Sequence, residues 1–251
     1  MKRPTGSRFT WAVAVVTLSC GGSEWVRQHP HHARSSDDSG WTEGTGEPTA
    51  PSSAPAGVPV DAEGAETYRN TYYDFPAEGA GTKDATVFDG SCQPIAKVTQ
   101  AFHDAVCLQG SGRLSTGETI SFNRRDCECA AICPKSSHKI CFDKLDPKQF
   151  PTGRGATGRP VTPVRSVAVD TAVIPLGTVL FIPEYVGLPL PGGGKHDGCF
   201  RADDRGSRVS GRHVDIFTGD PSTTAEWNRL VPSNQGVSVE IGAGRCAALR
   251  E

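Results

Sequence analysis

The chain has 251 residues with 26 basic and 28 acidic side chains, a formal net charge of −2. Both signs are mixed along the sequence and no basic run occurs, which excludes an electrostatic footprint for nucleic acid. Nine cysteines point instead to an oxidising compartment.

The chain begins with Lys2, Arg3 and Arg8 ahead of an apolar run from Phe9 to Leu18. That run is too short for a bilayer, which takes about 20 apolar residues, but it fits the central region of a secretory signal. No second apolar span follows, so nothing integral to a membrane is expected. The run ends at Leu18-Ser19-Cys20-Gly21, and a small residue followed by cysteine resembles a lipoprotein signal. That resemblance implies acylation of Cys20, although Thr17 stands where such signals prefer Leu. The expectation is a signal peptide over 1–19 and export to the cell envelope, lipid-anchored at Cys20 and facing the periplasm. Simple cleavage and secretion is the alternative. Residues 20–65 are rich in Ser, Gly, Pro, Ala and Thr and read as a flexible linker, because they cannot bury enough apolar surface to offset the entropy of ordering. His29, His31 and His32 fall in it and read as a solvated cluster.

Residues 66–251 are long enough for one domain with its own core. Strands are predicted at Asn70–Phe75 and Ala85–Phe88, where β-branched and aromatic residues lie between turn formers. In Pro94–Leu108 the apolar residues Ile95, Val98, Phe102 and Val106 fall at helical spacing, which predicts a helix with proline in its first turn. A glycine loop around Gly110, Gly112 and Gly117 precedes a short strand at Thr119–Phe122. Strands follow at Ser166–Val169, Thr178–Pro183, Cys199–Ala202, His213–Phe217 and Gly236–Ile241, with a short helix near Thr223–Leu230. Many short strands between glycine turns predict a closed or nearly closed barrel.

Eight cysteines lie in this region: Cys92, Cys107, Cys127, Cys129, Cys133, Cys141, Cys199 and Cys246. An even count in an exported chain reads as disulfides of undeducible pairing. Zinc competes for the dense patch from Cys127 to Cys141, which also holds His138, yet the patch lacks the paired knuckle spacing of zinc ribbons. The expectation is no metal and no cofactor.

Three aspartates mark the chemistry. Asp170 ends the strand at Val167-Ala168-Val169, Asp204 ends Phe200–Asp203, and Asp215 sits inside His213-Val214-Asp215-Ile216-Phe217. Carboxylates among β-branched residues are costly to bury unless paired or hydrogen-bonded. Each alone reads as a turn former or a solvated strand face. Together they resemble the 3D (three-aspartate) family. Val167 to Thr178 looks like its first signature. Ala202-Asp203-Asp204-Arg205-Gly206-Ser207 sits where the family carries an Asp-Thr-Gly-Gly turn, and Gly211 to Phe217 resembles its third segment. Gln109-Gly110-Ser111-Gly112 is similar to a stretch of the membrane-bound lytic transglycosylase A family.

What this resemblance implies is a mainly β, six-stranded double-psi β-barrel with one or two short helices and a disulfide-rich loop insertion. It also implies a monomeric enzyme acting on peptidoglycan glycan strands, with a 1,6-anhydro product. Asp204 would be the catalytic acid, with Asp170 and Asp215 shaping the site and Asp203 pointing elsewhere. Gly110, Ser111, Gly112 and Arg205 would bind substrate. Two positions depart from the pattern: Arg205 replaces a small Thr, and Ser207 replaces a Gly. A cation at Arg205 is expected to lower the Asp204 pKa. The second domain that walls the groove in those enzymes is expected to be missing. An expansin-like barrel that binds wall glycan without cutting it, an inverting glycoside hydrolase and a structural lipoprotein are the alternatives. Trp227, Tyr185 and Phe217 are the candidates for an aromatic sugar platform.

Overall fold

The computed structural model describes residues 66–250. The expected signal peptide over 1–19, Cys20 and the linker over 20–65 lie outside the described residues. In chain order the elements are β1 (Glu66–Asp74), β2 (Ala85–Phe88), β3 (Pro94–Val98), α1 (Gln100–Gln109), β4 (Ser111–Arg113), β5 (Thr119–Arg124), β6 (Cys141–Leu145), β7 (Ser166–Val169), β8 (Val179–Phe181), β9 (Cys199–Asp204), β10 (His213–Gly219), α2 (Pro221–Leu230) and β11 (Val237–Ile241).

Six strands close a barrel in the order β1-β10-β7-β9-β8-β11, and β11 returns to pair with β1. The β1–β10 and β7–β9 pairs are parallel and the other four are antiparallel. Exchanging β1, β7 and β8 with β9, β10 and β11 maps this ring onto itself, parallel pairs onto parallel pairs. That internal two-fold is the double-psi arrangement expected from the three-aspartate pattern. The pseudo-axis passes between β7 and β10, the two strands that meet at the centre of one wall.

Strand alternation sorts the side chains. Val167, Val169, Val214, Ile216, Phe200 and Leu180 point inward and build the main core with Tyr185 and Trp227. Trp227 comes from α2, which Asp220 caps by accepting from the amides of Ser222 and Thr223; its indole N–H donates to the Pro189 carbonyl at 2.9 Å. The alternate residues of the same strands, Tyr73, Ala168 and Phe217, form a second cluster on the outer face.

Between β1 and β7 the chain builds a smaller body. β2 pairs with β3 and β4-β5-β6 form a three-stranded sheet, closed by α1 over a core of Val87, Val98, Phe102, Val106, Ile120 and Phe142. Three disulfides tie it: Cys92–Cys129, Cys107–Cys133 and Cys127–Cys141. The fourth, Cys199–Cys246, ties β9 to the C-terminal turn. The insertion expected as a disulfide-rich loop therefore carries sheets and a core of its own.

Pro94–Leu108 is not one helix. Pro94–Val98 is strand, and the helix starts only at Gln100. Thr99 adopts extended dihedrals and its hydroxyl accepts from the Phe102 amide at 3.2 Å, which is N-cap geometry. The strand residues Ile95 and Val98 fall by chance in phase with Phe102 and Val106. β6 begins at Cys141, the last cysteine of the dense patch, and continues into Phe142-Asp143-Lys144-Leu145.

Candidate active site

The outer face where β1, β10, β7 and β9 lie side by side carries the candidate site. Register sets it. Thr71 on β1 is the partner of Asp215 on β10. Asp215 is the partner of Ala168 on β7, and Ala168 is the partner of Asp204 at the end of β9. Two carboxylates thus flank one small residue, in a row Thr71–Asp215–Ala168–Asp204 across four strands.

Asp204 is half-buried and heavily hydrogen-bonded. Its Oδ1 accepts from the amides of Arg205 (2.9 Å) and Ala156 (3.1 Å). Its Oδ2 accepts from the Tyr73 hydroxyl at 3.2 Å. These donors favour the carboxylate, but removal from water outweighs them, and the Asp204 pKa rises to about 6, with the neighbouring Asp203 adding to the rise. Asp215 also rises to about 6, mainly through burial; the Thr71 hydroxyl opposes this and Asp204 adds to it. The Tyr73 hydroxyl is driven well above its ordinary value by burial and by both carboxylates, so it stays a donor.

Arg205 does not act as expected. It meets Asp204 through its backbone amide, while the side chain is exposed, and the Asp204 pKa goes up rather than down. Asp203 sits at the register shift between β7 and β9, where Ala202 and Asp204 face consecutive residues of β7, so its side chain shares the face of Ser166 instead of alternating away from Asp204. It accepts from Ser166 and from the Arg201 guanidinium, both at 2.6 Å.

Asp170 follows the end of β7. Its oxygens accept from the amides of Ala172 (3.0 Å) and Gly211 (2.7 Å), which hold its pKa below the ordinary value. By the pleat repeat it stands about 7 Å along the strand from the row through Ala168. It pins the turn that feeds β10, where Gly211 has φ +63.

Gly110 closes α1 in the left-handed region (φ 81), its amide donating to the Val106 carbonyl. A side chain on Gly112 would come within 2.5 Å of Val106 and 3.0 Å of Phe102. Ser111 is hydrogen-bonded to Ser121. The Ser121 hydroxyl accepts from the Arg154 amide at 3.0 Å, and two residues further the Ala156 amide reaches Asp204. The segment from Pro151 to Pro163 therefore joins the inserted body to the catalytic carboxyl candidate.

Sequence reasoning missed Tyr73, Thr71, His213 and the Ala156 amide. Alternation along β1 placed Tyr73 and Thr71 on one face, but nothing local says that this face adjoins β10. Trp227, Tyr185 and Phe217 have 0%, 0% and 1% exposure, so none of the three offers a sugar platform.

Residues 165–230 match the family model described as the 3D domain. No curated protein matches the chain by sequence. In fold the chain is similar to Escherichia coli MltA, solved with bound chitohexaose. The two share 16% identity over 70% of this chain and 71% of that one, with a TM-score of 0.51. It is similar also to the membrane-bound lytic murein transglycosylase of Agrobacterium tumefaciens, at 14% identity over 73% and 76% of the two chains, with a TM-score of 0.51. The segment carrying Asp170, Asp204 and Asp215 thus matches the 3D domain model, in a barrel similar in fold to these two proteins.

Proposed function

We propose that the protein is a peptidoglycan lytic transglycosylase-like enzyme of the cell envelope, cleaving the bond between N-acetylmuramic acid and N-acetylglucosamine with Asp204 as acid and then base. The observation that carries this reading is Asp204 itself. It is a half-buried carboxyl held by three donors on the outer face of a 3D-type barrel, with a pKa near 6. A carboxyl of that pKa exists in both forms near neutrality, which suits one group that gives a proton and takes one back. The Asp204 proton goes to the glycosidic oxygen as its bond to C1 breaks. The muramic O6 then bonds to C1, and its proton returns to Asp204. Arg205, exposed beside Asp204, is assigned to glycan contact, with Ser111 and the glycines beside it supporting the groove from the inserted body. Asp170 is assigned a positioning role. The fold similarity to a protein solved with chitohexaose supports a glycan substrate.

One observation favours a second reading. Asp204 and Asp215 lie two strand spacings apart, roughly 10 Å between backbones, compatible with the separation of about 6.5–9.5 Å between carboxyls used by inverting hydrolases to hold a water. Incubating peptidoglycan with the protein and with Asp204→Asn, followed by mass spectrometry, decides between them. Anhydro-ended products lost in the variant support the transglycosylase. Products heavier by one water support the hydrolase, and intact glycan that still binds the protein supports the non-cutting barrel.

A further inference from the structure

The Thr71 hydroxyl is contacted on two sides. It lies 2.6 Å from Asp215 Oδ1 and 2.8 Å from His213 Nε2. His213 is 5% exposed and lies on β10 with Asp215, two residues away and on the same outer face. The Arg208 backbone favours the protonated imidazole, as a carbonyl oxygen facing the ring does. With Nε2 facing Thr71, the ring's other nitrogen is left to meet that oxygen, which can only accept.

The proton count follows. A hydroxyl has one proton, so Thr71 can donate to Asp215 or to His213, not to both at once. If Asp215 is ionised and His213 neutral, one of the two contacts sets lone pair against lone pair. If both are protonated, Thr71 can donate only to Asp215, whose proton must then sit on Oδ2, and the chain loses its second direction. With the imidazole hydrogen on Nδ1, both contacts are satisfied once one extra proton resides on the pair.

We infer that Asp215, Thr71 and His213 form a relay that holds one shared proton beside Asp204, with His213 acting as a positioning residue for the charge on Asp215. The transfer balances. The Asp215 O–H bond breaks as a Thr71 O–H forms, and the original Thr71 O–H breaks as His213 Nε2–H forms. The two end states differ only in where the proton sits. Burial favours sharing: it raises Asp215 and lowers His213 from 6.5, bringing two groups of different ordinary pKa toward each other. The charged and titratable groups facing the relay are Arg69 and Tyr73 on β1, Asp204 on β9 and Asp170 beyond β7, the last already engaged by two amides.

The consequence for Asp204 rests on the transglycosylase reading above; the relay itself does not. With the proton on Asp215, Asp204 faces a neutral neighbour and ionises more easily. With the proton on His213, Asp204 faces a carboxylate and stays protonated. His213 thereby sets which form of the acid is available.

The test is a pH titration of the His213 imidazole nitrogens and the Asp215 carboxyl carbon by NMR, in the protein and in Thr71→Val, Thr71→Ser and Asp215→Asn. The expected result is a linked pair of transitions in the protein and in Thr71→Ser, which keeps the hydroxyl. Thr71→Val should give two independent curves. Asp215→Asn should move the His213 midpoint down by about one pH unit, the size of coupling at which two sites titrate as a pair. A His213 midpoint identical in the protein, Thr71→Val and Asp215→Asn overturns the relay. Should Thr71→Val fail to fold, Asp215→Asn alone decides. Because these readouts need no substrate, a protein that cuts no glycan but shows linked titration sinks the enzyme reading and leaves the relay standing.

Discussion

Asp204 combines opposing influences that could each have been decisive. Two amides and a phenol stabilise its carboxylate, yet its pKa is raised because the barrel wall and the 151–163 segment take it out of water. Tyr73 is the one side-chain donor among the three, and Tyr73→Phe keeps the ring against Phe217, whose centroid lies 4.9 Å away. The change removes a hydrogen bond to the charged form, so the Asp204 pKa rises further. A general acid loses activity as pH climbs through its pKa, so the alkaline limb of kcat/KM should move to higher pH, by about one unit or less for one such hydrogen bond. A limb that stays in place, or moves down, would show that Asp204 is not the group behind it. At this scale the sequence singled out the acids that the fold brings to one face but not the groups they contact. Asp204 and Asp215 stood out as carboxylates among β-branched residues. Tyr73 and Thr71 did not, because their relevance depends on parallel pairing between residues about 140 apart in the chain.

At the scale of elements, the barrel strands were legible, while of the inserted body only β2 and β5 were. Runs such as Val179-Leu180-Phe181 and Val237-Ser238-Val239 lie between glycine turns and pair only as strands. The insertion mixes periods: three-residue β4 abuts the αL cap of α1, and disulfides rather than long apolar runs hold the cysteine patch. The segment 151–163 carries no helix or strand beyond an isolated bridge between Arg154 and Pro160, yet its path is constrained at Gly155. A Cβ there would lie 2.5 Å from the Asp203 carbonyl oxygen, a backbone atom that cannot rotate away. Gly155→Ala should therefore push the segment off the end of β9 and draw the Ala156 amide from Asp204. The expected outcome is a folded protein with all four disulfides and kcat/KM reduced about 10- to 100-fold, as a 1 Å misplacement near reacting groups can cause. Unchanged kcat/KM with unchanged melting would mean that this amide does not hold the acid.

For the molecule as a whole, buried titratable groups pull its pH dependence in opposite directions. His196 is packed against Phe200 and Trp227, with Nε2 2.7 Å from the Val164 carbonyl and Nδ1 accepting from the Gly198 amide. Burial, assisted by Arg165, pushes its pKa from 6.5 down to about 4. Its contribution to stability is full above 6.5 and is lost as pH falls toward 4. Asp204 and Asp215 run the other way. Their pKa values rise from 3.8 to about 6, so their protonated forms fit the fold at low pH and ionisation costs stability as pH rises through 6. Each carboxyl costs about 1–2 kcal/mol above that point, allowing for its remaining contact with water. Between pH 4 and 6.5 the two effects offset one another. Replacing both carboxyls, Asp204→Asn with Asp215→Asn, should leave His196 uncompensated there. Melting curves are then expected to show almost no gain over the unaltered protein at pH 4 and a gain growing through pH 6. Above pH 7 the gain should hold constant, on the order of 5 °C for a domain this size. A gain of equal size at pH 4 and pH 7.5 would mean that the two carboxyls do not ionise within this window. The barrel would then bear no cost for holding them, and the raised acid on which the proposed chemistry depends would be absent.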